Sequence, residues 1–249
     1  MKILFLFILP FTYCAYGQTV TFKEIRLKSN AKYYNPPLVA IIFPIVVTKN
    51  AKVAKLINTQ IKEEVFPGVD TGTPLKEILI ESIAHDGLSD LSYKVTCKKN
   101  GILSFRIDKG SCAAYCTSLS SYFNFDLKTG KSITIDSLIS EDKMDSFKSI
   151  VFADKVKALT KYKKEETAIL NSNTIDTVTY NWAIEQVDSE CIKTVSIEDF
   201  SLSDLTLEIN DACEFPHMIR SQEPSYELKY SYSRMAPFLR PRFKKILVK

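Results

Sequence analysis

The chain has 249 residues, of which 45% are apolar and 25% are charged. Disordered chains combine few apolar residues with a large net charge, so this composition excludes a largely disordered protein. The formal net charge of +4 is too small to indicate binding to nucleic acid. We therefore expect a globular protein without a nucleic-acid partner.

The N-terminus has the pattern of a secretory signal peptide over residues 1–17. Lys2 precedes an apolar segment, and Ala15 and Gly17 place small residues at positions −3 and −1 of a cleavage site. The apolar segment is shorter than the roughly 20 residues of a membrane-spanning helix. We expect cleavage after Gly17, a secreted or periplasmic mature protein, and no transmembrane segment in it.

Two strands and two helices are predicted next. TVTFKEIRL alternates apolar and polar residues, and LVAIIFPIVV is a β-branched run that Pro44 would place at a sheet edge or a bulge. The fourfold spacing that follows predicts an amphipathic helix with Val53, Ile57, Ile61 and Val65 on its buried face. A second helix is predicted with Thr73 as its cap and Pro74 in its first turn.

A hairpin follows, with Asn100-Gly101 as its turn because both residues of such turns need a positive φ. Alternation predicts that Tyr93, Val95 and Cys97 share one face of its first strand. A second hairpin is predicted around Lys128-Thr129-Gly130-Lys131, with period-two alternation on both sides. A phosphate-binding loop would need a second glycine and a following helix, so these residues are interpreted as a turn.

The second half predicts further helices and strands. A helix is predicted from Asp142, and a short helix is predicted around Trp182. FSLSDLTLEI alternates as a strand does, with a shift of register, such as a tight turn, at Ser203-Asp204. YELKYSY places its tyrosines on one face, which indicates a half-buried strand or, alternatively, a platform for stacking carbohydrate. The whole pattern predicts an α+β fold of antiparallel sheets built from hairpins, with packed helices.

The C-terminal segment is basic. From Lys229 to Lys249 there are seven basic residues and no acidic residue, so the rest of the chain is net acidic. Four of the seven are candidates for contact with an anionic envelope surface: Arg240, Arg242, Lys244 and Lys245. Pro237 and Pro241 predict an extended backbone through the two arginines. The alternative is a solvated terminal helix or strand.

Five cysteines remain after the predicted cleavage, and an oxidising compartment favours disulfides between them. Five thiols form at most two disulfides. We predict the pairs Cys112–Cys116, which are close along one loop, and Cys191–Cys213, which flank a predicted strand. Cys97 would then remain as a buried thiol.

No metal, cofactor or catalytic constellation is indicated. The two histidines, His85 and His217, lack the closely spaced partners of zinc sites. The G-x-S-x-G pattern of a nucleophile elbow is absent, and disulfide-bonded cysteines cannot act as nucleophiles. Asp136, Asp142 and Asp145 are neighbours in sequence, but helix caps and solvated faces use acidic residues in the same way.

The order of these elements resembles the extracellular domain of the anti-sigma factor RsiV. The resemblance rests on NGILSFRID, YFNFDLKTGKSITIDSLI, FSLSDLTLEIN and YELKYSYSRMAPFL. The preceding VAIIFPIVV and KLINTQIKEEV are similar to the N-terminal domain of the polysaccharide deacetylase PdaC. The resemblance implies a PdaC-like α+β subdomain at 18–110 and an RsiV-like one at 111–249. Where this family has a glycine-rich segment with a histidine, the chain has GSCAAYC.

RsiV senses lysozyme by binding it outside the cell, and the catalytic domain of PdaC follows the region of resemblance. The resemblance therefore implies an exported, non-catalytic binding module of the cell envelope. Its partner would be an envelope protein or a glycan such as peptidoglycan, and the sequence leaves its identity open. The alternatives are an envelope hydrolase, esterase-like or deacetylase-like, and a structural envelope protein.

Overall fold

The computed structural model describes residues 20–28, 40–70, 72–112, 116–170 and 177–248. The predicted signal peptide lies outside these ranges. Within them the chain has the predicted α+β fold: a five-stranded and a three-stranded sheet, mostly antiparallel, with packed helices. None of the described helices combines the length and the apolar composition that crossing a membrane requires.

The five-stranded sheet contains the first five strands in chain order: β1 (Thr21–Lys28), β2 (Ala40–Val47), β3 (Leu88–Lys99), β4 (Ile102–Cys112) and β5 (Cys116–Asp126). Its neighbouring strands are antiparallel except for β2 and β3. Parallel neighbours need a long crossover connection, and here that connection contains α1 (Ala51–Val65) and α2 (Leu75–His85).

Strand β2 lies inside the sheet, between β1 and β3, and pairs with β1 along its whole length without a bulge. The prediction of an edge or a bulge at Pro44 was therefore wrong. The described pairing with β3 is confined to Ile41 and Leu91. Pro44 lies beyond this pairing, so its missing N–H does not interrupt it.

Helix α1 buries the four residues predicted from their spacing, and its N-terminus is capped by Asn50, whose side chain accepts from two backbone N–H groups. Helix α2 starts one residue later than predicted, because Pro74 rather than Thr73 occupies the N-cap position. The buried residues of both helices belong to one apolar cluster together with Phe43, Phe105 and Phe125 of the sheet.

A bulge in β3 changes the face of the sheet to which its side chains point. Tyr93 and Val95 pack against the cluster under α1, but Cys97 is buried in a second cluster. The register of β3 against β4 shifts between Val95 and Cys97, so one extra residue separates them. An extra residue reverses the side-chain direction, and the predicted common face ends at Val95.

The chain reverses its direction around Gly130 as predicted, and Gly130 has a φ of 75°. The predicted return strand does not form. A single bridge joins Phe125 and Ser132, and Thr134 then caps the short helix α3 (Ile135–Leu138) by accepting from Ser137 N. A threonine side chain can cap a helix and so favour a helix over a strand at this position. The period-two pattern of the sequence does not distinguish the two.

The remaining elements form the second region: a 3₁₀ turn (Glu141–Lys143), α4 (Met144–Leu170), α5 (Thr177–Gln186), a π turn (Val187–Cys191), β6 (Phe200–Leu202), β7 (Thr206–Ile209), a 3₁₀ helix (His217–Gln222), β8 (Leu228–Ser231), α6 (Tyr232–Met235) and α7 (Pro241–Leu247). The three strands follow each other in the second sheet. Leu228, Tyr230 and Tyr232 are buried in its cluster, so this row of side chains belongs to the core.

The two sheets are joined by hydrogen bonds where β6 meets the start of β4 and the end of β5, far from the turn of this hairpin. Asn124 Nδ2 donates to Phe200 O at 2.7 Å, and Leu202 N donates to Ser104 Oγ at 3.0 Å. Strand β4 continues to Cys112 and β5 extends the same sheet. The division of the mature chain at residue 110 stays a prediction.

Candidate functional site

A groove of about 790 Å³ lies between the first half of β5 and the segment that links β7 to β8. One of its walls consists of residues 117–120 and Tyr122. Successive side chains of a strand point to opposite faces, so a wall of consecutive residues indicates that the groove follows the edge of β5. Grooves of roughly 300–1,000 Å³ are typical of ligand sites.

The last residues of β5 show which backbone groups face away from β4. Ile133 N donates to Asn124 O at 2.7 Å, and Asp126 N donates to Lys131 O at 3.0 Å. The outward-facing residues at this end of the strand are therefore the even-numbered ones.

The even-numbered residues face away from β4 along the rest of the strand as well, because the register of β5 with β4 runs without a bulge to Cys116. Strand β5 is the last strand of the sheet, so no further strand lies on that side. Backbone direction alternates from residue to residue. The outward N–H and C=O groups of the first half belong to Cys116, Ser118, Ser120 and Tyr122. Among the described residues, no backbone group pairs with them. The groove therefore contains a free strand edge.

The opposite wall of the groove is acidic. Its five carboxylates belong to Asp199, Glu208, Asp211, Glu214 and Glu223, and Arg220 is the one basic residue among the described residues that line it. Glu208 lies 3.6 Å from Lys229, and Glu223 lies 3.6 Å from Arg220. Asp199 and Glu214 form no ion pair within the described parts of the chain, and burial raises the pKa of Asp199.

A buried ion pair supports this acidic wall. Lys155 Nζ of α4 lies 2.6 Å from Asp211 Oδ2, and the two side chains are 4% and 5% exposed. Lys155 also donates to Thr194 O at 2.8 Å, and Ser196 N donates to Asp211 Oδ1 at 3.0 Å. Both charges have hydrogen-bond partners in addition to each other, so the pair holds α4 against the segment behind the groove.

Tyr226 completes the network around Asp211. Its hydroxyl donates to Asp211 O at 2.7 Å. Burial, together with the neighbouring carboxylate of Asp211, raises the pKa of Tyr226. The phenol is therefore neutral at physiological pH and serves as a hydrogen-bond donor.

Both predicted disulfides occur, and both border the groove. Cys112–Cys116 closes the end of the β4–β5 hairpin, with a Cα–Cα distance of 4.0 Å, next to the groove residue Thr117. Cys191–Cys213 joins the π turn after α5 to the acidic wall, and Cys213 itself lines the groove. The remaining described cysteine, Cys97, is a buried thiol, and burial raises its pKa.

The four basic candidates of the C-terminal segment lie elsewhere, on and before α7. The predicted extended backbone there was wrong, because Pro241 occupies the first turn of a helix, where its missing N–H is not needed. Arg242 pairs with Asp126, and Arg240 Nε donates to Asp136 O and Ile139 O at 3.1 and 3.0 Å. Lys244 and Lys245 are exposed.

Sequence reasoning missed Lys155 and Asp211, and it placed Tyr226 in the row of strand tyrosines without predicting its hydrogen bond to Asp211. Lys155 occupies the fourfold series of α4 between Val151 and Leu159, both of which are fully buried. A lysine on the apolar face of a helix is a signal that could have been used, because a buried charge needs a partner. The position of that partner, 56 residues further along the chain, is not visible in the sequence pattern.

The groove offers carboxylates, hydroxyls and free backbone groups, which bind through hydrogen bonds and ion pairs. No group of three or more metal-ligating side chains is found in the described part of the chain. His85 lies on the surface of α2, 3.3 Å from Glu81.

No protein-family model matches the chain, and no curated protein matches its sequence. Its fold matches solved structures, among them two DUF3298 proteins. A DUF3298 family member from Bacteroides fragilis aligns with a TM-score of 0.58 and 11% identity, over 93% of this chain and 98% of that one. A DUF3298 family protein from Pseudomonas aeruginosa aligns with a TM-score of 0.56 and 11% identity, over 91% and 96%. The chain shares the fold of these two DUF3298 proteins.

Proposed function

We propose that the chain is an exported, non-catalytic binding module of the cell envelope and that the groove along β5 is its ligand site. The observation that carries this proposal is the groove itself, which combines a free strand edge with a wall of five carboxylates. Convergent polar groups in a concave site of this size are typical of binding sites.

Two further observations support export and an envelope role. The first 17 residues have the signal-peptide pattern, and the structure contains two disulfides, which persist in oxidising compartments. The resemblance to the extracellular domain of RsiV and to the N-terminal domain of PdaC also favours a binding role at the envelope. On this proposal, 18–110 and 111–249 are two associated subdomains, and the partner is an envelope protein or a glycan.

Ser118→Trp tests the groove as the ligand site, because an indole on β5 would fill part of it. The mature chain 18–249 is incubated with purified peptidoglycan and, separately, with immobilised envelope proteins. The matched control is Lys148→Gln/Lys157→Gln, which removes two exposed charges of α4. We expect the wild type and the control to bind one of the two fractions and Ser118→Trp to bind about tenfold more weakly, a difference of about 1.4 kcal/mol. Equal binding by Ser118→Trp, or no binding by the wild type, would contradict the proposal.

Export and oxidation have their own test. The secreted protein should begin at Gln18 and carry at most one free thiol, since two disulfides use four of the five remaining cysteines. Intact-mass measurement after alkylation without reductant reports both properties. Three or more alkylated cysteines would contradict the two-disulfide arrangement.

A further inference from the structure

The free half of β5 lacks the features that protect strand edges. Natural edges are usually blocked by charged residues, a proline or a bulge. Residues 116–122 read CTSLSSY, without charge or proline, and their register with β4 has no bulge. Leu119 is 58% exposed on this segment. The edge is therefore a suitable template for another strand.

The opposite edge of the same sheet provides an internal comparison. Strand β1 reads TFKEIRLK and carries four charged residues: Lys23, Glu24, Arg26 and Lys28. Charges of this kind oppose the addition of a further strand. The sheet thus has one protected edge, at β1, and one unprotected edge, at the groove.

The charge of the groove determines what kind of strand it suits. Five carboxylates and one arginine line the groove, and Asp211 is buried in its pair with Lys155. Asp199 and Glu214 have no ion-pair partner among the described residues, so they are the carboxylates most open to a ligand. An adjoining hollow of about 340 Å³ shares Tyr122 and adds Glu63, Glu64 and Glu198. Carboxylates along the whole edge favour a ligand that carries lysine or arginine and disfavour nucleic acid or anionic lipid.

A second copy of the chain is a poorer occupant of this edge. Pairing β5 with β5 would bring two acidic walls towards each other, and like charges at an interface cost several kcal/mol. A neutral glycan would use the hydroxyls but would leave the acidic wall without a counter-charge.

We infer, resting on the proposed function, that the groove binds an extended segment of another protein that carries lysine or arginine. The segment adds as a strand to the free edge of β5 over about seven residues, Cys116 to Tyr122. Its backbone pairs with the outward N–H and C=O groups of the even-numbered residues. Its basic side chains contact the acidic wall, beginning with Asp199 and Glu214.

Ser118→Pro and its matched control Ser118→Ala test the backbone pairing. Both remove the hydroxyl, but only proline removes the outward N–H, and Ser118 does not donate its N–H to β4. The probe is a blocked nine-residue peptide of alternating lysine and threonine, and binding is measured by calorimetry. We expect Ser118→Pro to bind about tenfold more weakly than Ser118→Ala.

N-methylated peptides provide the same test without changing the protein. Methyl groups are placed on alternate backbone nitrogens in either of two registers. A strand that pairs on one edge tolerates methylation in one register and not in the other. We expect one isomer to bind like the parent peptide and the other to lose binding, and this result holds even if Ser118→Pro fails to fold.

The charge contact is tested by Asp199→Asn/Glu214→Gln. We expect this variant to bind the peptide about fivefold more weakly and with a smaller salt dependence, because exposed charges are screened beyond roughly 8 Å at physiological salt. An analogous peptide with glutamate in place of lysine should not bind.

Three results would overturn the inference. These are equal binding by Ser118→Pro and Ser118→Ala, equal binding of both methylated isomers, and a β5-dependent dimer seen by sedimentation that Ser118→Pro abolishes. If Ser118→Trp still reduces binding to an envelope fraction, the proposed function stands and strand addition alone fails. If the wild type binds neither fraction, the proposed function fails as well.

Discussion

The two halves of β5 differ although they belong to one strand and share one partner, β4. Residues Phe123 to Asp126 are buried, whereas Cys116 to Leu119 are exposed and the residues between them are half-buried. The buried half is covered by β6 and by residues 131–133. The open half faces the groove. The two halves therefore differ because of what lies on the outer side of the strand, since their pairing with β4 is the same.

The buried half is specified by a polar network. Ser104 Oγ donates to Asn124 Oδ1 at 2.7 Å, and Asn124 Nδ2 donates to Phe200 O at the same distance. Leu202 N donates to both side-chain oxygens. A buried network in which every group is satisfied holds β6 in one position, which in turn positions the acidic wall.

The largest expected effect is on the wall that faces the open half. Lys155→Met removes the cation from a pair that is almost fully buried and leaves the Asp211 charge without its partner. We expect unfolding by urea to show a loss of about 3–5 kcal/mol. The control is Lys155→Met/Asp211→Leu, in which no unpaired charge remains and much of the stability should return. A loss below about 1 kcal/mol in the single variant would argue against a buried pair.

Asn124→Ala and Ser118→Ala compare the two halves directly. In the buried half, the alanine leaves Phe200 O without a donor and removes the acceptor of the Ser104 hydroxyl proton, so we expect a loss of about 2–3 kcal/mol. In the open half, Ser118 is exposed and we expect a change within about 0.5 kcal/mol. Thermal unfolding of both variants measures the contrast. Similar losses at both positions would remove the distinction between the halves.

The turn that follows the buried half should be less sensitive. Gly130 has a φ of 75°, and an added Cβ would lie 3.2 Å from Val53 O. Gly130→Val should therefore cost about 1–2 kcal/mol or more, because a β-branched residue resists positive φ. Lys131→Ala, at the neighbouring exposed position, is the control and should change stability little. Thermal midpoints of the two variants measure the difference in stability. A Gly130→Val variant as stable as the wild type would contradict the requirement for a positive φ at this position.

The smallest effect concerns the ion pair at the end of the buried half. Burial alone would raise the pKa of Asp126, but hydrogen bonds from Arg242 and from Lys128 N outweigh it and lower the pKa. A lowered folded-state pKa contributes stability above the unfolded value of about 3.9, and this contribution is lost as the pH falls through the folded-state value.

Arg242→Gln should therefore reduce stability at pH 7 by less than about 1 kcal/mol, because the Arg242 side chain is 56% exposed and screened by solvent. The difference from the wild type should shrink as the pH falls below the unfolded-state pKa of about 3.9 and towards the lowered folded-state pKa of Asp126. Thermal midpoints measured at steps between about pH 7 and pH 2 follow it, with Lys244→Gln as the control for general charge. A difference that does not shrink over this range would show that Arg242 acts through packing.

Elements with strong local patterns were predicted well. The fourfold spacing of Val53, Ile57, Ile61 and Val65 places all four on the buried face of α1. The Asn100-Gly101 turn has both residues at positive φ, as its hairpin requires. These features depend on residues that are close in the chain, so period and turn chemistry are sufficient to predict them.

Predictions failed where a local pattern was overridden by a more specific contact. The return strand after Gly130 became a bridge and a capped helix, and the facing of Cys97 was reversed by a bulge. The C-terminal segment became a helix because Pro241 is compatible with a first turn, and its arginines contact residues more than 100 positions away.

The sequence by itself determined the α+β class, the main helices and the Asn100-Gly101 hairpin, because each follows from the spacing of residue types along the chain. The two disulfide pairs were the preferred pairing of five cysteines, and the structure decided their connectivity. The tertiary structure alone decided that both disulfides border one groove, that Lys155 pairs with Asp211, and that half of β5 is left with a free edge. These properties depend on which distant segments meet. Such contacts are set by how the apolar clusters of the described residues pack, and they leave no periodic pattern in the sequence.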